Sequence, residues 1–248
     1  MDLIDSHSHL DGPQFAEDRP AVLERARAAG VDTLLAIGNG PGPEKLDAAL
    51  PLAEQHDWIY TTVGIHPHEA KEVTEQHLEE LTRLARHAKV IAWGEIGLDY
   101  FYDHSPRDIQ AQVFLEQMER AQAAKLPIII HCRDAWEDCL RLIEEHWRPS
   151  GLGGILHCFS STLEHARRAM DMGFLVSFAG NLTYSKAQNL RDVARELPID
   201  RMLIETDAPY LAPQAFRGKR NEPAYVAACA PLSVVPAGRG AQAATPAQ

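Results

Sequence analysis

Short apolar runs alternate along the chain with longer stretches of helical periodicity. Eight runs rich in Ile, Val and Leu predict strands at 3–4, 33–37, 59–63, 90–93, 127–130, 154–156, 174–177 and 202–204. Between them, Leu, Ala and Val recur at positions i, i+3 and i+4, with Arg and Glu in the gaps. This spacing predicts helices over 19–29, 43–55, 77–87, 110–124, 135–146, 163–172 and 187–197.

The order of these elements predicts a barrel. Continuous apolar strands that alternate with amphipathic helices are typical of a parallel sheet covered by helices. Eight strands within the first 204 residues favour a closed (β/α)8 barrel of the TIM type over an open doubly wound sheet. The sequence has no linker and no repeat of fixed period, so we predict a single α/β domain over residues 1–228.

The C-terminal stretch departs from this pattern. A barrel needs a covering helix after its eighth strand, and residues 222–229 offer only the beginning of one. Pro231, Pro236 and Gly238 then interrupt an Ala-rich sequence that cannot hold a long helix. We predict a truncated eighth helix, followed by a poorly ordered Ala/Pro/Gly-rich tail over 229–248.

Composition excludes several classes of protein. The 248 residues are 45% hydrophobic and 24% charged, which is typical of a globular chain and not of a disordered one. No apolar run approaches the roughly 20 residues that cross a bilayer, and the acidic N-terminus does not resemble a signal peptide. The four cysteines include no Cys-x-x-Cys pair, so we expect reduced thiols in a cytoplasmic, monomeric protein.

The net charge of −11 limits the partners of the chain. A protein this acidic lacks the broad cationic field that draws proteins onto duplex nucleic acid. It can still bind nucleic acid at a small site where a few cationic side chains or metal ions set the local charge.

The histidines are concentrated where a barrel has its active site. In a (β/α)8 barrel the carboxyl ends of all strands meet at one rim, and the catalytic groups of this fold lie there. Neutral imidazole is the most common metal ligand in proteins, so histidines at strand ends predict a metal site. Six of the twelve histidines lie at or just beyond predicted strand ends, namely His7, His9, His66, His68, His131 and His157.

Two carboxylates join these histidines at the predicted rim. Glu95 ends the fourth strand between two glycines, and its two oxygens can bridge two cations. Asp207 follows the eighth strand, where the barrel closes beside the first. Six ligands are too many for one tetrahedral zinc ion and suit two divalent cations bridged by Glu95. The candidate ligands are His7, His9, Glu95, His131, His157 and Asp207.

Three neighbouring residues have other predicted roles. Glu205 shares the face of Asp207 but lies deeper, where it can orient a metal ligand. Cys132 and Cys158 each follow a candidate ligand histidine. Because side chains alternate between the two faces of a strand, we expect both thiols to pack against helices and not to bind metal.

Seven segments of the chain resemble the TatD family of metal-dependent hydrolases, within the wider group of amidohydrolase-like barrels. They follow the family order and are DSHSHLD at 5–11, GIHP at 64–67, GEIGLD at 94–99, HCR at 131–133, HCFS at 157–160, ETD at 205–207 and RGKRNEP at 217–223. The resemblance implies a TIM barrel with two divalent metal ions (Zn, Mg or Mn). It also implies deoxyribonuclease activity, typically as a 3′→5′ exonuclease on single-stranded DNA, with RNA left open.

The resemblance assigns roles to individual residues. It places one metal at His7, His9, Glu95 and Asp207, and the other at Glu95, His131 and His157. His66, in the GIHP segment, would lie near the scissile phosphate. Phosphodiester hydrolysis also needs a general base, and our candidate is Asp207; the alternative is that Asp207 serves only as a ligand.

Cationic and aromatic residues near the same rim are candidates for holding substrate. We expect Arg133 and the loop residues Arg217, Lys219 and Arg220 to contact phosphate groups. For the three loop residues, a solvated basic turn is the alternative. The aromatic residues that follow strands could stack bases or serve only as loop packing, and these are Phe101, Tyr102, Phe159, Phe178, Tyr184 and Tyr210.

The sequence departs from the family at two places, and two alternative functions stay open. Ser161 stands where relatives often have Gly, and the sequence after residue 223 lacks the long final helix of the family. One alternative is an amidohydrolase-type enzyme that uses the same metals on C–N or C–O ester bonds. Another is a barrel that has become inactive because of the altered C-terminus.

Overall fold

The apolar runs of the sequence form eight parallel strands in a computed structural model that describes residues 2–40 and 42–229. Each strand pairs with the next along the chain, and the last meets the first through the Ser8–Ala208 bridge. The prediction of a (β/α)8 barrel is therefore confirmed. The strands are β1 (Leu3–Ser8), β2 (Val31–Ala36), β3 (Ile59–Val63), β4 (Val90–Asp99), β5 (Ile128–Arg133), β6 (Gly154–Leu156), β7 (Phe174–Phe178) and β8 (Met202–Ile204).

Helices follow the first seven strands, and their buried residues pack against the sheet. They are α1 (Arg19–Ala28), α2 (Leu50–Gln55), α3 (Glu75–Leu84), α4 (Arg107–Ala124), α5 (Trp136–Leu142), α6 (Leu163–Asp171) and α7 (Gln188–Glu196). Helix α5 continues through a π-helical turn at Ile143–Trp147. Among the described residues, no helix has both the length and the apolar character needed to cross a bilayer.

The predicted helix over 43–55 is wrong in its first half. Residues Pro43–Lys45 form a short 3-10 helix, and α2 begins only at Leu50. Pro51 explains the break, because inside a longer helix its ring would clash with the carbonyl of residue 47 and its nitrogen could not donate. In the first turn of α2 neither problem arises.

Strand β4 is longer than predicted and contains Glu95 instead of ending at it. Its pairing with β5 shifts register at this point. Two glycines of β4 let the strands approach closely there. A Cβ added to Gly94 would stand 2.6 Å from the Cβ of Ile129. A Cβ added to Gly97 would stand 2.0 Å from the backbone oxygen of His131. A side chain at either glycine would push β4 and β5 apart next to Glu95.

The last residues that the structure describes pack beside α1. The predicted start of an eighth helix is a short 3-10 helix at Pro223–Ala228, with its apolar side in the core around α1. Just before it, Glu222 accepts hydrogen bonds from the Arg25 guanidinium at 2.8 and 2.6 Å. The predicted tail over 229–248 lies, apart from its first residue, outside the described residues.

A buried carboxylate fastens the two ends of the sheet together. Asp5 on β1 accepts hydrogen bonds from the backbone N–H of Thr206 at 2.9 Å and from its hydroxyl at 2.6 Å. The backbone oxygen of His7 also accepts from the N–H of Asp207 at 2.9 Å. The barrel therefore closes directly beside two of the predicted metal ligands.

Replacing Asp5 with Ala should lower the free energy of unfolding by at least about 2 kcal/mol, because both Thr206 donors lose their acceptor in a buried position. Urea denaturation followed by circular dichroism measures the change. Asp200→Ala, at an exposed position, is the matched control and should stay within about 0.5 kcal/mol of the original protein. Equal urea midpoints for the two variants would contradict the closing role of Asp5.

Candidate metal centre

The carboxyl ends of the strands open into a cavity of about 840 Å³. The candidate ligands at the base of this cavity lie on β1, β4 and β5 and on the segments that follow β1, β6 and β8. His7 is completely buried, and the ligands that line the cavity are His9, Glu95, His131, His157 and Asp207. The structure thus brings together all six side chains that the sequence singled out as ligands.

Four of these side chains surround one point. The Nε2 atoms of His7 and His9 lie 3.2 Å apart, and they lie 3.4 and 3.7 Å, respectively, from Oε2 of Glu95. Oδ1 of Asp207 lies 3.8 Å from Nε2 of His7 and 3.4 Å from Nε2 of His9. Ligand atoms about 2.1 Å from a tetrahedral ion stand about 3.4 Å from one another, so this group has the spacing of a divalent cation site.

The other oxygen of Glu95 faces a second group of imidazoles. Oε1 lies 2.8 Å from Nε2 of His157, 2.9 Å from Nδ1 of His131 and 3.5 Å from Nε2 of His66. The rings of His7 and His157 stack with centroids 3.8 Å apart, so the two groups lie side by side. Glu95 stands between them with one oxygen toward each.

The pKa shifts in the site favour an ionised carboxylate among the buried imidazoles. Burial raises the pKa of the Glu95 carboxyl, but His157, His66 and His7 hold it well below its usual value. Burial lowers the pKa of His157, whereas Glu95 and Glu205 raise it well above its usual value. Protons and divalent cations compete for such imidazoles, and an ionised carboxylate between imidazoles is a donor set that divalent metals fit.

Carboxylates behind two of the imidazoles fix the orientation of the rings. Oε1 of Glu205 lies 3.1 Å from Nδ1 of His157 and accepts a hydrogen bond from the backbone N–H of Cys158 at 2.7 Å. This is the position that the sequence predicted for Glu205. Asp99 supports His131 as Glu205 supports His157, because its Oδ2 lies 2.9 Å from Nε2 of His131. Each ring then directs its other nitrogen toward Glu95, which is the arrangement of a supported metal ligand.

Asp99 is not among the site residues predicted from the sequence, and His68 has no predicted role there. Asp99 is completely buried, and its Oδ2 also lies 2.9 Å from Nε2 of His68. A signal was present, since Asp99 lies four residues after Glu95 and side chains at even spacing share one face of a strand. It was overlooked because the fourth strand was predicted to end before Asp99.

His66 has the geometry of an uncharged hydrogen-bond donor. Its Nδ1 accepts the backbone N–H of His68 at 3.2 Å, so the neutral ring carries its proton on Nε2. Burial lowers the pKa of His66 to about 4, although Glu95 opposes the shift. The neutral ring therefore carries its Nε2 hydrogen at the cavity lining, 3.5 Å from Oε1 of Glu95.

Asp207 has the charge expected of a ligand or a general base. Burial raises the pKa of its carboxyl, but the hydrogen bond from His9 and the neighbouring His157 lower it overall. The residue has a φ of 57°, in the left-handed region that few non-glycine residues adopt. Its side chain is directed to the first group of ligands from a backbone that β1 holds in place.

Of the four arginine and lysine residues predicted to contact phosphate, Arg133 lines the cavity. Arg220 instead pairs with Asp18, with nitrogen–oxygen distances of 2.8 and 2.7 Å. Arg217 stacks on a tyrosine ring, and Lys219 is exposed. The structure does not bring these three residues to the cavity lining, and their contact with substrate stays a prediction.

Burial also sorts the aromatic residues that were candidates for stacking bases. Phe159 and Phe178 are completely buried, so they pack in the core and cannot contact a base. Tyr184 is half-buried beneath the guanidinium of Arg217. The aromatic candidates that remain exposed at the rim are Phe101, Tyr102 and Tyr210.

The expectation for the two cysteines holds for one of them. Cys132 is buried in the main core. Cys158 is half-buried at the cavity wall, where the Nδ2 of Asn181 lies 4.0 Å from its sulfur. The alternation of a strand does not apply to Cys158, because β6 ends at Leu156 and Cys158 has a φ of 45°.

Comparisons with known proteins identify the family. The family described as TatD related DNase matches residues 4–232. The chain is 44% identical over 225 residues to the uncharacterized metal-dependent hydrolase YabD of Bacillus subtilis, covering 90% of this chain and 87% of the relative. It is 35% identical over 230 residues to the 3′-5′ ssDNA/RNA exonuclease TatD of Erwinia tasmaniensis, covering 90% and 88%.

A solved structure agrees with the sequence relatives. The crystal structure of YJJV, a TatD homologue from Escherichia coli, superposes with a TM-score of 0.87 at 33% identity and covers 93% of this chain and 88% of that one. The chain belongs to the TatD family of metal-dependent hydrolases, which confirms the resemblance drawn from the sequence.

Proposed function

We propose that this hydrolase is a phosphodiesterase that uses two divalent cations to remove nucleotides from the 3′ end of single-stranded DNA or RNA. The observation that best supports the proposal is the position of Glu95, whose two oxygens face two separate groups of ligand atoms. Mixed imidazole and carboxylate ligands leave Zn, Mn and Mg as candidates. One cation would be held by His7, His9, Glu95 and Asp207, and the other by Glu95, His131 and His157.

The side chains around the cavity have complementary roles in this reaction. The cations would acidify a water molecule and balance the charge that develops on phosphate oxygens. Ionised Asp207 accepts the proton of the water whose oxygen bonds to the phosphorus of the 3′-terminal nucleotide, and the bond from that phosphorus to the 3′ oxygen of the preceding nucleotide breaks. The leaving oxygen takes up a proton, so the products are a free nucleotide and a shortened strand that ends in a 3′ hydroxyl. His66 donates its Nε2 hydrogen to a phosphate oxygen, and the guanidinium of Arg133 adds positive charge at the cavity wall.

Single-stranded nucleic acid suits this cavity better than a duplex. A volume of about 840 Å³ is in the range of small-ligand pockets and does not admit a double helix. The net charge of −11 also offers no extended cationic surface for two phosphate backbones. The name of the Erwinia relative, a ssDNA/RNA exonuclease, supports the same substrate class.

Removing the metal should abolish the activity. Chelator-treated protein should cleave 5′-labelled single-stranded DNA at least about a hundredfold more slowly than protein resupplied with Zn²⁺, Mn²⁺ or Mg²⁺. Gel electrophoresis over time should show products that shorten by one nucleotide at a step from the 3′ end, and a blunt duplex should be cleaved poorly.

Each rival function gives a different result in that assay. Full turnover by metal-free protein would exclude the two-metal proposal, and early fragments from mid-chain cleavage would exclude an exonuclease. Turnover of amides or lactones without turnover of oligonucleotides would favour the amidohydrolase-type alternative. A cooperative melting transition without turnover of any substrate would indicate an inactive barrel.

A further inference from the structure

An exposed aromatic and cationic cluster stands at the rim above β4 and β5. Phe101 and Tyr102 are 55% and 50% exposed, although large apolar rings are usually covered. The guanidinium carbon of Arg133 lies 3.9 Å from the ring centre of Phe101 and 4.7 Å from that of Tyr102. We call these three residues the β4–β5 platform.

The platform is held in place by the residue that supports the metal centre. Oδ1 of Asp99 accepts hydrogen bonds from the backbone N–H groups of Phe101 and Tyr102 at 3.0 and 2.9 Å, while its Oδ2 contacts His131. Gln110 on α4 donates to the backbone oxygen of Asp99 at 3.0 Å. The exposed rings therefore project from a backbone that is fixed relative to the ligands.

A third exposed aromatic ring stands on the opposite side of the same rim. Tyr210 is 55% exposed, and its ring centre lies 6.0 Å from that of His9. Its backbone is held by two hydrogen bonds, one from its own N–H to Asp207 at 2.8 Å and one to its carbonyl from Asn221 at 2.6 Å. In the strand order of the barrel, β8 and β1 lie across from β4 and β5, so the metal centre stands between Tyr210 and the platform.

The charge at the platform is available to a ligand. Within residues 2–40 and 42–229, no carboxylate pairs with Arg133, which stacks on the two rings instead. Arg220, in contrast, is neutralised by Asp18. Half-exposed aromatic rings beside an unpaired guanidinium match a flat, π-bonded group attached to an anion, which is the chemistry of an unpaired nucleotide. Arg133 lies over both rings, and the ring of Tyr102 also stacks on that of His104 with centroids 5.4 Å apart, so a base that binds here would extend a stack already present.

We propose that the β4–β5 platform and Tyr210 each stack one unpaired nucleobase, so that a single strand crosses the barrel mouth with a base on either side of the scissile phosphate. This proposal rests on the proposed nuclease function and adds how the enzyme selects unpaired strands. Bases within a duplex already stack on one another and cannot reach either ring. Selection for single strands then comes from base stacking and not from sequence readout.

The test is a double-mutant cycle between protein rings and nucleobases, read as Kd. Fluorescence anisotropy with the metal-loaded protein measures the binding of an oligothymidine that is labelled at its 5′ end and carries phosphorothioate linkages, which resist hydrolysis. The probes are the intact oligonucleotide and a set in which one base near the 3′ end is replaced by an abasic sugar. Tyr210→Ala and the double variant Phe101→Ala/Tyr102→Ala should each weaken binding of the intact strand by about tenfold.

The proposal depends on whether the loss of binding in each variant is coupled to one particular base of the probe. Each variant should show no further loss with the abasic probe that lacks its own partner base, and the two variants should couple to different nucleotides. Ile199→Ala, which removes an exposed apolar side chain away from the rim, should bind every probe as the original protein does. Additive losses at all positions, or no loss in either variant, would overturn the proposal. Coupled binding with no cleavage of the unmodified oligothymidine by the same metal-loaded protein would instead support the stacking sites and refute the nuclease.

Discussion

The Glu95→Ala variant should lose at least about a thousandfold in kcat/KM on single-stranded DNA. The carboxylate offers one oxygen to each group of imidazoles, so in the proposed two-metal site its removal would take a ligand from both cations at once. Metal analysis of the dialysed protein should show the bound divalent cations falling from two per chain to one or fewer. Single-turnover kinetics on a 5′-labelled oligonucleotide measures the loss.

Two further variants separate a lost metal bridge from a damaged fold. Glu95→Gln keeps the shape and one oxygen of the side chain but loses the charge, and it should also be strongly impaired while melting cooperatively. Glu79→Ala, at an exposed position on α3, removes a carboxylate far from the site and should leave kcat/KM unchanged. Activity of either Glu95 variant within tenfold of the original protein would disprove the bridging role.

The Asp207→Asn variant should lose about a hundredfold to ten-thousandfold in kcat. The substitution keeps an oxygen that can contact a cation beside His9 but removes the basic carboxylate that accepts a proton. We therefore expect the variant to retain bound metal and to stay impaired when the metal concentration is raised. Kinetics across a titration of Mn²⁺ measures both effects.

The same titration tests the alternative role of Asp207. If Asp207 were a ligand only, excess Mn²⁺ would restore kcat to near its original value. Asp200→Asn, at an exposed position before the amino end of β8, is the matched control and should be unaffected at every metal concentration.

The barrel and the grouping of the candidate ligands could be predicted from the sequence because both follow from local patterns. Apolar strands alternating with amphipathic helices allow few arrangements, and the barrel order then brings all strand ends to one rim. Once the rim is known, residues as distant as His7 and Asp207 must lie together. The structure places them with ligand atoms 3.8 Å apart.

The parts that escaped prediction depend on contacts between elements. The extension of β4 to Asp99 is stabilised by pairing with β5, and its glycines weaken the local strand signal. The position of Cys158 follows from a backbone φ of 45° that a pattern of alternating residues cannot reveal. Arg220 pairs with Asp18, which is far away in sequence. The local sequence does not reveal this ion pair, and it therefore favoured contact of Arg220 with phosphate.

Anomalous X-ray diffraction from crystals grown with Mn²⁺ tests the central claim most directly. We expect two anomalous peaks roughly 3.5–4 Å apart, one on each oxygen of the Glu95 carboxylate. The peak near Oε2 should be contacted by His7, His9 and Asp207, and the peak near Oε1 by His131 and His157. A single peak, or two peaks that do not share Glu95, would contradict it.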